Sequence, residues 1–560
     1  MKELDSQISF VVEAVPRILK QIDMDPLSPT FGCAHLGYWR DKTSEVADMR
    51  RQEVMLPLAL LYSFDYPGSS WKGNGLLPDA MEALLSFWCE NRYTDGSLDE
   101  WYKGERAFAA AAFSTHAVAR TLSIMENILP EPKIVLAKEK LEKTAHWLTG
   151  RDDLFKTNHQ AVGVAALACA GKVLQNDLFT KNARKKLQSI IDVQTTEGWF
   201  PEVGHMDVGY TFLTIEFVLM TMELWNDRRL IEAFQRAFDF ACEWIHPNLT
   251  VGDEYGVCHN PYLSRIAVIL LSATSGHAAY LRHRFEKEAI GFKGYSSVFA
   301  DDLRLLRWAY QPLLAYDYAK KTASPAEHEA IPLANPGGKI RFYENAALGR
   351  FSCCGCTGVF APAAGGLIRL FGMAAGKSFS DYGYAIKSGY GYASNQTYNR
   401  KIEVHQDGED ILIVCSISPV KKFMPPFWAR VVLRLACSTA TGSRLTRKGI
   451  DIIRKRKGTA LNQSSANLSS SKSLWTLQRR ISFRKDHLLV TDKLLFAKPV
   501  KQQAIFFLES TDDNLTKCRP LISNVQKQKM EMTNLQITKC YQPGDNWSLA
   551  ETNVNHEKET

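Results

Sequence analysis

Residues 106–173 read RAFAAAAFSTHAVARTLSIMENILPEPKIVLAKEKLEKTAHWLTGRDDLFKTNHQAVGVAALACAGKV. Apolar side chains recur there every three or four positions, the spacing that lines a helix face. They do so in three runs, Arg106–Ile128, Pro132–Leu148 and His159–Val173, with proline or glycine between them. The same pattern extends outward in both directions. Glu53–Phe64 and Asp79–Cys89 precede these runs, and Gly209–Trp225, Arg228–Trp244 and Tyr262–Ser275 follow them. The opening MKELDSQISFVVEAVPRILKQ alternates apolar and charged positions as an amphipathic helix does. A succession of helix pairs of this kind predicts an α/α toroid or a helical array.

The pattern shortens near residue 330. After Pro336-Gly337-Gly338 the runs Ile411–Ser418, Ala429–Ala436, Trp475–Phe483, His487–Leu495 and Gln503–Leu508 are rich in Val, Ile, Leu and Phe. Gly, Asn, Asp and Ser separate them, so they are expected to be strands. Helices first and strands afterwards imply segregated modules. The expected organisation is α+β: a toroid over 1–330, an antiparallel β-sandwich over 331–545 and a polar, frayed tail over 546–560, with the boundary at 325–340. The Ser/Asn-rich stretch Asn462–Ser473 is expected to be a loop.

A chain of 560 residues exceeds what one core supports. Its 45% hydrophobic and 23% charged residues are ordinary for a folded protein. A net charge of +8 suits an anionic partner without naming one. No zinc finger, RNP-type strand or Walker loop is present, so a nucleic-acid partner is not expected. The N-terminus lacks the basic region and unbroken apolar core of a signal peptide. The least polar long stretch, Gly355 to Gly376, contains Pro362 and Arg369, and a central Arg costs about 2.5–3.5 kcal/mol on insertion scales. No transmembrane segment is expected, and a cytoplasmic location is. The 12 Cys are mostly scattered through apolar runs, as reduced buried thiols would be.

Two segments carry candidate chemistry. Thr157-Asn158-His159-Gln160 opens an apolar helix, where the plainer reading of Asn158 is a cap. About fifty residues on, Glu197-Gly198-Trp199-Phe200-Pro201-Glu202-Val203-Gly204-His205-Met206-Asp207-Val208-Gly209-Tyr210 leads into another. It sets a Tyr, a His and two acids at a helix mouth.

Together these segments resemble the heparinase II/III-like and related alginate lyases, which share an Asn-His pair at a helix start and a Gly-Tyr about fifty residues later. Asp99-Glu100-Trp101-Tyr102 with Glu105-Arg106, and Glu254-Tyr255-Gly256 leading to Asn260-Pro261-Tyr262, add to the likeness. The resemblance implies cleavage of a uronate-containing acidic polysaccharide by β-elimination. Asn158 would bind the uronate carboxyl group, and His159 would assist it or serve as base. Tyr210 would exchange protons with C5 or with the leaving oxygen. Tyr102, Glu105, Arg106, Trp199, His205, His259 and Tyr262 are the implied substrate-binding residues.

One departure opens alternatives. Many relatives carry a His-rich motif early in the β module, yet residues 340–400 contain no His, and His405 is the first after that gap. A uronyl C5-epimerase or a glycan-binding protein of surface-polysaccharide biosynthesis fits an Asn/His/Tyr site as well. The cluster Cys353-Cys354-Gly355-Cys356, with Cys258 and Glu254, suggests a further alternative, a zinc/cysteine glycosidase of toroid type. Zinc is implied only on that alternative, and otherwise no cofactor or metal is expected. The crowded acids Asp95, Asp99, Glu100 and Glu105 admit a carboxylate-pair hydrolase. The basic runs Arg444–Lys448, Arg454–Lys457 and Arg479–Lys485 suit an anionic glycan or an acidic membrane face.

Overall fold

The computed structural model describes residues 2–225, 229–288, 301–323, 328–335, 340–353, 356–372, 378–388, 391–396, 402–420, 426–439, 475–484, 487–496, 502–510, 517–523, 534–542 and 548–557, with a few single residues between them. The expected loop Asn462–Ser473 and the run Arg454–Lys457 lie outside the described residues, as do Cys354, Gly355, Arg444, Lys448 and Lys485.

The helices are α1 (Lys2–Leu19), α2 (Leu36–Trp39), α3 (Met55–Ser63), α4 (Leu76–Glu90), α5 (Phe108–Met125), α6 (Glu131–Thr149), α7 (Thr157–Leu174), α8 (Asp177–Ile191), α9 (Val208–Trp225), α10 (Arg229–Cys242), α11 (Arg265–Leu271), α12 (Gly276–Lys287), α13 (Asp302–Trp308) and α14 (Tyr310–Lys321). Helix α3 packs on α5, α5 on α7, α7 on α9, α9 on α11 and α11 on α14, which returns to α3. These six close an inner ring. Helices α1, α4, α6, α8, α10 and α12 pack against it from outside.

The sequence explains the two layers. Inner helices α3, α5 and α7 are buried on nearly every side and carry long apolar runs, as in Met55–Leu61 and Ala161–Ala168. Outer helix α8 buries only Phe179, Ala183, Lys186, Leu187 and Ile190, one stripe of an amphipathic helix.

The strands are β1 (Arg341–Tyr343), β2 (Leu348–Cys353), β3 (Cys356–Ala361), β4 (Leu367–Phe371), β5 (Ser378–Ser388), β6 (Gly391–Ser394), β7 (Glu403–Asp407), β8 (Asp410–Pro419), β9 (Trp475–Phe483), β10 (Leu488–Phe496), β11 (Gln502–Ser510), β12 (Lys517–Ser523), β13 (Asn534–Gln542) and β14 (Ser548–Glu557). Strands β1–β6 with β11 and β12 form one antiparallel layer, and β7–β10 with β13 and β14 the other. Along β8, Ile411, Ile413, Cys415 and Ile417 alternate inward, the period of two that a half-buried strand requires. They meet Phe351, Phe360, Tyr384 and Ile386 of the facing layer in one core. The architecture is therefore the expected toroid followed by a β-sandwich.

Two expectations are corrected. Ala429–Ala436 is not a strand but part of a helix, α15 (Phe427–Cys437). The segment after Asp545 is not a frayed tail, because Ser548–Glu557 pairs with Asn534–Gln542 as an edge strand. Its polar composition misled because backbone hydrogen bonds, not side chains, hold an edge strand.

The first layer of the sandwich packs on the toroid. Glu243 of the toroid pairs with Arg341 (2.9 Å) and with Arg350, and Glu254 pairs with Arg369 at 2.5 Å. His246 is fully buried between the Thr250 hydroxyl and the Tyr255 hydroxyl, its ring centroid 4.6 Å from that of Phe371.

Candidate functional site

A tight turn builds the site. The Glu202 N–H donates to the His205 carbonyl (2.7 Å) and the His205 N–H to the Glu202 carbonyl (2.9 Å). Val203 and Gly204 at its tip both have positive φ, 52° and 77°, the signature of a two-residue hairpin. Glycine accepts this conformation freely, whereas the branched Val203 is strained there. Its N–H is anchored on the Phe155 carbonyl at 2.7 Å. Glu202 also bridges to Lys156, the residue before α7, which brings the turn against the start of that helix.

Asn158 does not cap α7. The cap position is Lys156 and the helix begins at Thr157, so Asn158 lies inside the first turn. Its Nδ2 donates to Glu202 Oε2 at 2.7 Å, and its Oδ1 is buried without a hydrogen-bond partner. Burial raises the Glu202 carboxyl to about 8, against the Asn158 hydrogen bond, so Glu202 is mostly protonated at neutral pH.

His159 follows on the same turn, with Nδ1 2.9 Å from Asp153 Oδ2. A carboxylate only accepts, so the proton sits on Nδ1 and the lone pair on Nε2. Burial lowers the His159 pKa, with Asp153 opposing it, and 15% of the side chain stays exposed. Phe113 meets its ring edge-on at 6.1 Å, and the Arg50 guanidinium lies 3.6 Å from the centroid of Phe113.

Tyr210 stands at the start of α9 because Asp207 caps that helix, accepting the Tyr210 N–H at 3.0 Å. Gly209 allows close approach. A Cβ there would lie 2.0 Å from the Asn260 carbonyl oxygen, and one at Gly256 would lie 2.4 Å from Asp207 Oδ2. Asp207 is pushed up to about 7 by burial, opposed by the backbone N–H groups it accepts. The half-buried Tyr210 phenol is raised by burial and by Glu202, Cys258 and Asp207, with Arg50 opposing. It is therefore a protonated phenol at neutral pH. Glu202 thus bonds to Asn158, and its charge is one of those that raise the Tyr210 phenol. His205 joins them through the turn, 7% exposed, its ring 5.2 Å from that of Tyr398 in the β module.

The remaining expected residues divide. Trp199 is buried with Nε1 donating to Glu197 (2.9 Å), and Tyr262 is fully buried against Glu216. Both belong to the core, which corrects their assignment as substrate-binding. Arg106 is buried in an ion pair with Asp95 at 2.7 Å, and Glu105 accepts the N–H groups of Trp101 (2.7 Å) and Glu100 (3.2 Å). Tyr102 is half-buried in that loop, and His259 is exposed with φ 52°.

The crowded acids are similarly committed. Asp99 accepts from the Tyr93 hydroxyl and the Gly104 and Arg106 N–H groups, while Glu100 pairs with Arg307 at 3.1 Å. Cys353 and Cys356 face each other across β2 and β3 in the sandwich core, whereas Cys258 donates its N–H to Asp207 of the toroid. Glu254 is held by Arg369, so the described members of the thiolate set do not assemble. Among the described residues, no three His, Cys, Asp or Glu side chains come together as metal ligands.

Sequence reading passed over Glu202, Arg50 and Tyr398. Glu202 carried only the partial signal of Gly204, because the branched Val203 beside it is not a residue that marks a two-residue turn. Arg50 and Tyr398 carried none.

No protein-family model matches the chain, and no curated protein does. Solved structures do. The Streptomyces coelicolor A3 chondroitin AC lyase in complex with chondroitin sulphate superposes with a TM-score of 0.52 at 11% identity, over 90% of this chain and 68% of that one. A mutant of the same lyase gives 0.53 at 9% identity over the same shares. Heparinase III gives 0.45 at 11% identity, over 90% of this chain and 82% of that one. The two lyase superpositions establish what is shared, an α/α toroid carrying a β-sandwich.

Proposed function

We propose that the chain acts on a uronic-acid-containing polysaccharide by abstracting the C5 proton and eliminating the 4-linked sugar. The observation that carries this reading is the buried Asn158–Glu202 hydrogen bond at the helix turn that also bears His159, paired with Asp153.

His159 Nε2 takes the C5 proton, and Asp153 stabilises the imidazolium that forms. The C5–H electrons become the C4–C5 double bond as the C4–O bond breaks. Tyr210 gives its proton to the departing oxygen, a role that a phenol held protonated can fill. Asn158 and Glu202 receive the uronate carboxyl group. With Glu202 protonated, the amide can turn over, so that the carboxylic O–H donates to Oδ1. Nδ2 is then released to the substrate and stabilises the enolate-like intermediate. One neighbour of the same fold was crystallised with chondroitin sulphate, an acidic polysaccharide, which agrees in substrate class.

The protonated Tyr210 also favours a second reading. A C5-epimerase makes the same carbanion and returns the proton from the opposite face. Incubation with a panel of acidic polysaccharides separates these readings. Growth of the ultraviolet band of unsaturated uronate supports the lyase. A flat trace with deuterium entering C5 from heavy water supports the epimerase. Neither signal on any uronate polymer refutes C5 chemistry and leaves a glycan-binding protein.

A further inference from the structure

Strands β8 and β9 are direct antiparallel neighbours, with Asp410 opposite Ser482 and Ile417 opposite Trp475. Such neighbours need only a short turn, yet residues 420–474 intervene. The described helix within that excursion, α15, buries none of its residues. Phe427, Trp428, Val432 and Leu435 are 64%, 74%, 63% and 69% exposed. At 100° per residue they fall on one arc, with Arg430 and Arg434 along its edge. Val431 within the arc and Leu433, Ala436 and Cys437 on the far side are half-buried, and Arg434 reaches Glu45 of the toroid at 2.5 Å. Leu445 and Ile452 beyond the helix are exposed too, at 64% and 53%.

The charge is equally uneven. Residues 421–457 contain eleven Lys and Arg and a single Asp, a net +10 in a chain whose total is +8. The whole positive excess is therefore carried by this excursion. An outward apolar arc with Phe and Trp at one end and cations along its edge matches an amphipathic helix lying in a lipid interface. An acidic polysaccharide would use the cations, but it offers nothing to the aliphatic Val432, Leu435, Leu445 and Ile452.

We propose that α15 docks the protein on an anionic bilayer surface, with Phe427, Trp428, Val432 and Leu435 entering the headgroup region and Arg430 on its edge meeting acidic lipids. The partner is the lipid surface, and nothing in the proposal requires a spanning segment.

The test is co-sedimentation of the full chain with vesicles of phosphatidylcholine alone, or with phosphatidylglycerol added. The expected result is binding about tenfold tighter to the anionic vesicles, weakened by salt. The double variant Phe427→Ser, Trp428→Ser should lose about tenfold in affinity, and Arg430→Gln several-fold. Both positions are exposed, so an unchanged melting temperature verifies that the variants remain folded. Equal partition onto both vesicle types, or undiminished binding by the double variant, overturns the proposal. So does failure to sediment with vesicles while the same variants lose affinity for soluble acidic polysaccharide.

Discussion

Asn158 and Glu202, 44 residues apart, share a buried 2.7 Å hydrogen bond between the first turn of α7 and the hairpin that precedes α9. The bond ties together the two segments that carry the candidate chemistry, while burial, which the bond opposes, holds the Glu202 carboxyl protonated.

Glu202 makes stability depend on pH in a definite direction. Its carboxyl moves from 4.5 to about 8 on folding, so the folded state binds this proton more tightly than the unfolded one. The stabilisation is complete below about pH 4.5 and is lost as pH rises through 8, at up to about 1.4 kcal/mol per pH unit. Glu202→Gln removes that contribution. Melting temperatures measured from pH 5 to 9 should fall less steeply in the variant, while Asp207 sustains part of the slope. Parallel curves would refute the burial argument.

Asp153 is expected to act through His159. Asp153→Asn removes the charge that stabilises a protonated imidazole. Turnover on an acidic polysaccharide should fall on the order of 100-fold with KM little changed. A loss confined to KM would mean that Asp153 positions substrate instead.

Gly209 is predicted to admit no side chain. Its Cβ would meet the Asn260 carbonyl oxygen at 2.0 Å, a backbone atom that cannot swing aside. Gly209→Ala should cost about 3 kcal/mol or more, read as a lower urea midpoint. An unchanged midpoint would show that the loop holding Asn260 yields freely.

The fold and the candidate site were unequally legible in the amino-acid sequence. Most helices came through because inner helices such as Met55–Ser63 and Val208–Trp225 keep long apolar runs, and Asp410–Pro419 because it alternates for ten residues. The segment Ala429–Ala436 failed because ARVVLRLA is short, rich in branched residues and equally compatible with periods of 2 and 3.6. Asn158, His159 and Tyr210 were singled out by the resemblance to a lyase motif order. Their orientation was not legible, since it depends on a strained turn at Val203 and on glycines that let loops approach. Trp199 and Tyr262 were misassigned because aromatic residues beside a motif serve packing as readily as binding.

The sandwich core holds a buried charge network that should govern its stability. Asp492 accepts from Arg479 and the Tyr384 hydroxyl, and it lies 2.7 Å from Lys539, which also pairs with Asp381. Burial alone would raise Asp492, but Arg479 and Lys539 outweigh it and hold the carboxyl well below the usual range. Asp492→Asn leaves excess buried positive charge and should cost about 3–5 kcal/mol, measured by denaturant unfolding. A cost under about 1 kcal/mol would mean that water reaches the network.

The central claim is that Tyr210 hands its proton to the departing sugar oxygen. The most direct measurement is the rate at which the unsaturated-uronate band grows on an acidic polysaccharide, for the parent and for Tyr210→Phe. The account predicts growth in the parent and a loss of at least about 100-fold in the variant, with polysaccharide binding retained. A variant that produces the band at the parent's rate would contradict it.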